Sequence, residues 1–260
     1  MKAHSNPKKS LGQHFLVDKN IANKIVNSLT DKTARNVIEV GPGRGVLTEI
    51  LYEKYKEKLF PIEIDTELFN QLSNKFPVLK NNIFNVDFLK FDILKEFTEQ
   101  TSVIGNFPYN ISNRIFFKIL ESKQIIPEVV CMIQKEVAER INSKSGNKVY
   151  GILSVLLRAF YNIEYLFTVN ETVFDPPPKI KSAVIRLSRK DDFSIDCNEK
   201  DFFIIVKTAF NQRRKMLRNS LKSLLQDKNI ENEILTKRPE QLSVKEFVYL
   251  TNLLMPITLS

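Results

Sequence analysis

The segment Glu39-Val40-Gly41-Pro42-Gly43-Arg44-Gly45 joins a β-rich run, residues 36–40, to a run with helical periodicity, residues 47–55. Glycine at every second position of such a strand-to-helix turn lets a ligand approach the backbone closely. The GxGxG spacing alone is weak evidence, because nicotinamide-binding folds use a similar turn and a tight turn can also be purely structural. The segment therefore predicts a candidate nucleotide-binding turn in an α/β fold, and other residues must decide its ligand.

The sequence around this turn alternates β-rich runs with amphipathic ones, which is typical of a parallel sheet with crossover helices. The predicted strands of this part are 36–40, 59–64, 81–86 and 102–106. The predicted helices are 47–55, 66–75 and an earlier one that Asp18 caps.

Beyond residue 106 the alternation continues. The predicted elements are a helix over 112–121, a strand over 129–133, a helix over 150–161, and strands over 165–169 and 183–187. We expect the last two strands to be antiparallel, because the connection between them is short.

The character of the sequence changes near residue 190. An acidic linker contains Asp191, Asp192 and Asp196, and only helical periodicity follows it. We therefore expect an α/β domain over residues 1–190 and a small all-helical domain over residues 191–260.

Composition limits the class of protein. The 260 residues carry a net charge of +9, which favours a polyanionic partner, although a basic balance also serves solubility. No apolar run approaches the roughly 20 residues of a membrane helix, so we expect a cytoplasmic protein with no membrane partner. Cys131 and Cys197 do not have the spacing of metal ligands, and the sequence contains only two histidines, so no metal site is expected.

Two acids sharpen the interpretation of the glycine turn. Glu63 ends the second predicted strand about twenty residues after the glycines, where a carboxylate can accept from both hydroxyls of a ribose. Asp87 ends the third, where it can accept from the exocyclic amine of adenine. Either acid alone is more often a solvated strand-end residue. Since ligands bind outside the carboxyl ends of such strands, residues 41, 63, 87 and 106 should converge on an adenosine, of a nicotinamide cofactor or of S-adenosylmethionine.

The motif Asn106-Phe107-Pro108-Tyr109 separates those two cofactors. The exocyclic amine of adenine is a poor nucleophile, because its lone pair is delocalised into the ring. The Asn106 oxygen and the Pro108 carbonyl can each accept one amino hydrogen, which favours a tetrahedral nitrogen, and Tyr109 offers a stacking face. The competing interpretation is an Asn-led turn before the helix at residue 112.

This motif is similar to the [NDS]PP[YF]-type motif of amino-methyltransferases, and the chain as a whole resembles the ribosomal RNA adenine dimethyltransferase family. The matching segments are 9–16, 39–48, Glu63-Ile64-Asp65, Asp87, 106–109, 174–179 and 209–221.

The resemblance implies a Rossmann-like S-adenosylmethionine-dependent methyltransferase domain of seven strands, the last antiparallel, and a small helical domain. It implies N6,N6-dimethylation of two adjacent adenosines near the end of small-subunit ribosomal RNA, in the immature subunit. A monomer is expected. The cofactor contacts it implies are His14, Leu16, Gly41, Gly43, Glu63, Asp87 and Asn106. The target-base contacts it implies are Asn106, Pro108, Tyr109 and Phe174. By itself His14 reads as a surface histidine, and Phe174 as a core residue.

The chain departs from the family pattern at two positions. Phe107 stands where leucine or isoleucine is common, and Arg44 stands where an apolar or small residue is common. Both departures leave the glycines, Asn106 and Tyr109 intact, so they put rate or fit in doubt rather than activity.

The late basic run predicts the surface that recognises nucleic acid. A single helix over 213–225 would place Arg214, Arg218 and Lys222 on one face and leucines on another. Phosphate contacts would offset the repulsion between these charges, whereas the alternative is a solvated face over a leucine core. The predicted RNA-binding residues are Arg213, Arg214, Lys215, Arg218 and Lys222.

Three alternatives stay open. A resistance-type methyltransferase of large-subunit ribosomal RNA shares the glycine turn and the Asn-led motif, but the run 210–215 favours the small-subunit enzymes. A non-catalytic ribosome assembly factor on the same fold is disfavoured by the intact motif. A nicotinamide dehydrogenase is disfavoured because no acid or base suited to hydride transfer follows the glycine turn.

Overall fold

A computed structural model of the chain describes residues 7–8, 11–225 and 230–256, and these divide into two compact units. The first unit runs to Ala138 and resumes over Ile163–Arg189. The second unit comprises Glu139–Asn162 and Lys190–Ser260. The second unit therefore includes residues 139–162, which the sequence assigned to the α/β part, while the predicted domain boundary at residue 190 stays a prediction.

The strands and helices follow the alternation that the sequence predicts. In the described residues the strands are β1 (Phe15–Leu16), β2 (Asn36–Val40), β3 (Leu59–Ile62), β4 (Thr101–Asn106), β5 (Glu128–Gln134), β6 (Tyr161–Val169), β7 (Phe174–Asp175) and β8 (Ser182–Arg189). The helices are α1 (Lys19–Asn27), α2 (Val46–Tyr55), α3 (Thr66–Lys75), α4 (Ile93–Glu96), α5 (Ser112–Glu121), α6 (Lys135–Asn142), α7 (Ile152–Phe160), α8 (Glu199–Asn211), α9 (Leu217–Ser220), α10 (Lys222–Leu225) and α11 (Val244–Leu254).

The main sheet has the strand order β3-β2-β4-β5-β8-β6. β2 pairs in parallel with β3 and β4, and β4 with β5, whereas β8 runs antiparallel to β5. The chain leaves β2 toward β3 on one side and returns to β4 on the other, so the order reverses between β2 and β4. This is the place where open α/β sheets bind ligands.

Local signals explain where the elements begin. The Asp18 carboxylate accepts from the Asn20 and Ile21 N–H groups, 2.8 and 3.0 Å, which confirms the predicted cap of α1.

Gly105 of β4 lies so close to β2 that an added Cβ would stand 2.5 Å from the Val40 carbonyl oxygen. Only glycine therefore lets β2 and β4 meet beside the ligand edge.

The predicted strand 81–86 is wrong. Only Phe84 pairs there, in a single parallel bridge to Ile62. The Asn85 side chain, rather than a further stretch of backbone, donates to the Glu63 carbonyl at 2.9 Å, which ends the ladder. The main sheet consequently has six strands instead of the seven that the resemblance implies.

A short two-stranded ribbon was not expected from the sequence. β1 pairs antiparallel with β7, with Phe15 opposite Asp175 and Leu16 opposite Phe174. Two-residue strands carry no periodicity that could reveal them. The ribbon joins the N-terminal segment to the proline-rich turn that begins at residue 176.

The second unit is helical around an aromatic core in which the Phe210 ring lies 6.2 Å from that of Tyr150 and 5.9 Å from that of Phe247. Seven of the nine residues of α7 are buried. A helix buried all round has no polar face to indicate its partner, which explains its assignment to the other part of the chain.

The prediction of one helix over 213–225 is wrong. α8 ends at Asn211, a turn follows, and two helices of four residues each lie on either side of Leu221. The Leu217 N–H donates to the Lys237 carbonyl at 2.8 Å, and this tertiary bond redirects the chain despite its helical propensity. Arg214 therefore lies in the turn and does not share a helix face with Arg218 and Lys222.

No helix within 11–225 or 230–256 is long and apolar enough to cross a bilayer.

Candidate active site

The carboxyl ends of β2, β3 and β4 border one open cavity of about 940 Å³, a volume that includes the solvent at its mouth, and we call it the site cavity. Its walls come from 11–15, 62–64, 86–89 and 106–111, with Val40, Gly41, Gly43 and Arg114. Of the residues predicted to bind cofactor, His14, Gly41, Gly43, Glu63, Asp87 and Asn106 line this cavity. The fold therefore brings the glycine turn, the two acids and Asn106 together at one cavity.

The glycine turn is shaped by close contacts. Gly43 has a φ of 59°, and a Cβ added to it would stand 3.0 Å from the Phe15 ring. Arg44 lies over the same ring, with its guanidinium carbon 4.4 Å from the centre of the Phe15 ring. Arg44 Nη1 also forms an ion pair with Asp175 Oδ2 at 2.6 Å. The departure at residue 44 thus ties the turn to the β1–β7 ribbon.

Glu63 is 4% exposed and both of its carboxylate oxygens are held by backbone. Oε2 accepts from the Gly43 N–H at 3.0 Å, and Oε1 accepts from the Asp65 N–H at 2.9 Å. Burial raises the pKa of Glu63 above its usual range, and these two N–H donors oppose the shift. A carboxylate has about four lone-pair sites, so Glu63 keeps acceptor capacity beyond its backbone partners.

Asp87 lines the same cavity and is half-buried, and its Oδ1 accepts from the Leu89 N–H at 2.9 Å. Two apolar residues beside the acids are unusually exposed: Ile64 by 49% and Val86 by 38%. Both line the site cavity. They add apolar surface to the cavity, each next in sequence to one of the two acids, which suits a planar heteroaromatic ring. Neither residue was predicted from the sequence as part of the site. The sequence signal that could have indicated them is an apolar residue directly beside each acid.

Asn106 ends β4, and its side-chain amide is oriented by the N-terminal segment. Nδ2 donates to the His14 carbonyl oxygen at 2.9 Å. A carbonyl only accepts, so this contact assigns the nitrogen of the amide and leaves Oδ1 as the acceptor. Asn106 lines the site cavity and is half-buried.

Pro108 and Tyr109 follow on the same wall. The Pro108 carbonyl accepts from the Ile111 N–H at 3.2 Å, which occupies one of its two lone-pair directions. The Tyr109 hydroxyl lies 2.5 Å from Ser182 Oγ, and burial raises the pKa of Tyr109. Tyr109 therefore enters the site as a neutral phenol.

His14 and Leu16 take different positions. The His14 ring stacks on Tyr109, with 5.5 Å between ring centres, and its Nδ1 lies 2.8 Å from the Pro176 carbonyl oxygen. Leu16 is buried and faces a smaller cavity of about 300 Å³ that shares Gly41, Gly43 and Asn106 with the site cavity. Lys9 and Ser10 of the matching N-terminal segment lie outside the described residues.

Phe174 is not brought to the wall of the site cavity. It is 4% exposed and packs in the core of the first unit with Leu16, Ile104, Met132 and Val184. Its predicted base-stacking role stays a prediction and requires the ring to become accessible. Phe107, the other departure, is fully buried with its ring 5.9 Å from that of Phe116, so its side chain serves the core.

Glu39 is a buried acid that the sequence analysis did not single out. It is 1% exposed, and neither carboxylate oxygen has a hydrogen-bond partner among the described residues. Burial raises the pKa of Glu39 to about 8, the nearby Thr48 hydroxyl opposes the shift, and the Glu63 charge adds to it. Its place two residues before Gly41 was visible in the sequence, but its burial was not.

The predicted RNA-binding residues belong to the second unit. We call residues 213–222 the basic segment. Arg214, Lys215, Arg218 and Lys222 are exposed, whereas Arg213 is half-buried and donates to the Lys148 carbonyl. Leu217 and Leu221 are fully buried beneath them.

The fold is that of a Rossmann-like domain, and the relatives of this chain define its class as a methyltransferase. A family model described as ribosomal RNA adenine dimethylase matches residues 4–254, and the chain belongs to this family. The resemblance inferred from the sequence is thereby confirmed, and the dehydrogenase alternative is excluded.

Individual relatives agree. Ribosomal RNA small subunit methyltransferase A of Flavobacterium johnsoniae is 56% identical over 246 residues, 94% of this chain and 94% of that protein. The protein of the same name from Cytophaga hutchinsonii is 53% identical over 249 residues, 95% of this chain and 96% of that one. The crystal structure of a dimethyladenosine transferase from Plasmodium falciparum has a TM-score of 0.74 and 24% identity, covers 91% of this chain and 96% of its own, and supports the fold.

Proposed function

We propose that this protein transfers methyl groups from S-adenosylmethionine to N6 of two adjacent adenosines near the 3′ end of small-subunit ribosomal RNA. The observation that carries the proposal is the orientation of Asn106, whose Nδ2 is committed to the His14 carbonyl so that Oδ1 is the acceptor. The small-subunit enzymes among the relatives, at 56% and 53% identity, favour this RNA over the large-subunit one.

The site cavity suits the cofactor in its donors and its shape. The remaining lone pairs of Glu63 fit the two ribose hydroxyls, and Asp87 fits the exocyclic amine of the cofactor's adenine. The exposed faces of Ile64 and Val86 fit the adenine ring between them. Gly41 leaves room for the methionine end, Gly43 leaves room for the Phe15 ring, and the His14 backbone and Leu16 lie beside them.

When bound, the cofactor supplies an electrophilic methyl group on a sulfonium. The residues of this chain make the acceptor nitrogen reactive. Asn106 Oδ1 accepts one amino hydrogen of the target adenine, and the second lone pair of the Pro108 carbonyl accepts the other. Both contacts pull the nitrogen toward a tetrahedral geometry and turn its lone pair out of the ring. Catalysis here is acceptor placement, a form of preorganised electrostatic stabilisation.

Dimethylation asks more of the two acceptors. On accepting the first methyl the nitrogen becomes cationic and releases one proton to solvent, so it retains one hydrogen and one acceptor must do without a partner. The Pro108 carbonyl is suited to this, because the Ile111 N–H satisfies it at 3.2 Å when the substrate hydrogen is gone. We therefore assign the lasting contact to Asn106.

Recognition of the RNA is assigned to the basic segment. Its exposed cations, Arg214, Lys215, Arg218 and Lys222, match a phosphate backbone in charge, and Arg213 anchors the neighbouring backbone. This places binding and chemistry in different units of the chain.

The test is analysis of small-subunit RNA by mass spectrometry. Immature subunits from cells that lack the protein are incubated with it and S-adenosylmethionine, and adenosines are quantified as unmodified, monomethyl and dimethyl forms. We expect two dimethyladenosines near the 3′ end. Methylation of large-subunit RNA alone, or tight subunit binding without methyl transfer, would contradict the proposal and favour one of the alternatives.

A further inference from the structure

His14 makes three contacts that meet at the proposed target-base site. Its backbone carbonyl accepts from Asn106 Nδ2 at 2.9 Å. Its ring stacks on Tyr109, with an interplanar angle of 28°. Its Nδ1 lies 2.8 Å from the Pro176 carbonyl oxygen. One residue of the N-terminal segment thus touches both the acceptor and the aromatic wall of the site.

The ring contact has a defined chemistry. Because the Pro176 carbonyl can only accept, Nδ1 carries the proton and donates to it. This bond fixes the plane of the imidazole, and the plane of the imidazole in turn supports one face of Tyr109. Offset-stacked aromatic pairs of this kind hold each other in a narrow range of orientations.

Tyr109 is held at its other end as well. Its hydroxyl lies 2.5 Å from Ser182 Oγ, at the start of β8. With His14 against one face and Ser182 at the hydroxyl, the phenol is fixed before any base arrives. Tyr109 lines the site cavity and is half-buried, so part of its ring is open to a ligand.

We propose that the His14 side chain is a positioning residue for the target adenine, acting through Tyr109, in addition to any contact its backbone makes to cofactor. The inference rests on the proposed function, since it concerns the same methyl-acceptor site. The backbone carbonyl of His14 orients Asn106 while the imidazole orients Tyr109. A shift of the segment 11–16 therefore misplaces both groups together.

The test compares three substitutions at one position. His14→Ala removes the ring and the donor, His14→Phe keeps a ring on Tyr109 without the donor, and His14→Asn keeps a donor close to the place of Nδ1 without the ring. Single-turnover methylation at saturating cofactor and RNA is measured, together with the dissociation constant of S-adenosylmethionine by calorimetry.

For His14→Ala we expect a rate lowered about tenfold and a cofactor dissociation constant within about twofold of the wild type. His14→Phe should recover more of the rate than His14→Asn, because stacking is the contact that acts. Ser182→Ala loosens the other end of Tyr109 and should lower the rate by about threefold with the same unchanged cofactor affinity.

Three results would overturn the inference. One is a loss of cofactor affinity in His14→Ala with a normal rate at saturation, which would make His14 a cofactor contact only. The second is a better recovery by His14→Asn than by His14→Phe. The third, informative even if His14→Ala fails to fold, is a full rate in Ser182→Ala. An inactive wild-type protein would instead count against the proposed function, so the two failures are distinguishable.

Discussion

The site cavity and the basic segment hold their polar groups in opposite ways. In the cavity, Glu63 accepts from two backbone N–H groups and Asn106 donates to a backbone carbonyl, so each side chain has one orientation. In the basic segment, Arg214, Arg218 and Lys222 extend from short helices and a turn and are exposed. The cavity therefore depends on the position of single atoms, whereas the segment depends on the sum of its charge.

This difference predicts two kinds of mutational response. Loss of one atom in the cavity should have a large effect that salt does not alter, because buried contacts are little screened. Loss of one cation in the basic segment should have a small effect that salt alters strongly.

Asn106→Ala should lower the single-turnover methylation rate about 100- to 1,000-fold, the size seen when one preorganised polar contact to a reacting group is removed. The physical reason is loss of the only amide acceptor that the His14 carbonyl orients. Asn23→Ala, an exposed asparagine on α1, is the matched control and should keep the wild-type rate. A rate for Asn106→Ala within threefold of the wild type would remove the assigned role.

Glu39→Gln should change the pH dependence of stability. The folded state holds the proton of Glu39 up to about pH 8, whereas the unfolded chain releases it near 4.5, so the unfolded state binds fewer protons between these values. The wild type therefore loses stability as pH rises from 5 to 8, by on the order of 3 kcal/mol, and the loss levels off above 8. The variant has no carboxylate at residue 39 and so lacks this loss of stability with rising pH.

The measurement is the free energy of unfolding by denaturant at pH 5, 6, 7 and 8 for both proteins. The difference between them, variant minus wild type, should grow with pH over this range. A constant difference would mean that Glu39 is ionised in the folded state and has a partner outside the described residues.

Glu63→Gln should weaken cofactor binding about 10- to 150-fold, since hydrogen bonds to a charged group contribute about 1.5–3 kcal/mol. The amide cannot accept from two hydroxyls and two backbone N–H groups at once. Calorimetry with S-adenosylmethionine measures the effect, and affinity for RNA should be unchanged. Glu67→Gln, exposed on α3, is the control. Equal weakening of both ligands would indicate a folding defect instead.

The sequence predicted the cavity well because its signals are local. Gly41, Glu63, Asp87 and Asn106 each stand at the end of a predicted strand, and a parallel sheet brings such ends together by topology alone. The wrong prediction of a strand over residues 81–86 did not change the predicted position of Asp87, because the single bridge at Phe84 still places Asp87 at the same edge of the sheet.

Where the outcome depended on tertiary contacts, the sequence was a poor guide. The exposure of Ile64 and the burial of Glu39 both follow from neighbours distant in sequence. The helix predicted over 213–225 was interrupted by one backbone bond, from Leu217 to Lys237. Periodicity reports local preference and carries no information on such a bond.

Arg214→Gln combined with Arg218→Gln should weaken RNA binding about tenfold at low salt, because two phosphate contacts are lost. The slope of log affinity against log salt should become shallower by about 1.4 to 1.8, while cofactor affinity stays unchanged. Lys200→Gln with Lys245→Gln removes two exposed cations of the same unit elsewhere and should have less effect. An unchanged salt slope in the arginine variant would move the RNA surface away from the basic segment.

The ion pair between Arg44 and Asp175 lies at the rim of the cavity and should behave like the surface, not like the site. Asp175 is 59% exposed, so a double-mutant cycle with Arg44→Leu and Asp175→Asn should give a coupling of about 0.5 kcal/mol in unfolding free energy. Arg44→Leu alone should cost slightly more, because the guanidinium also covers the Phe15 ring. The exposed pair Lys237–Glu246 serves as a reference cycle. A methylation rate lowered tenfold by either single change would show that the rim shares the cavity's dependence on atomic position, since the tie through the β1–β7 ribbon would then reach His14 and Asn106.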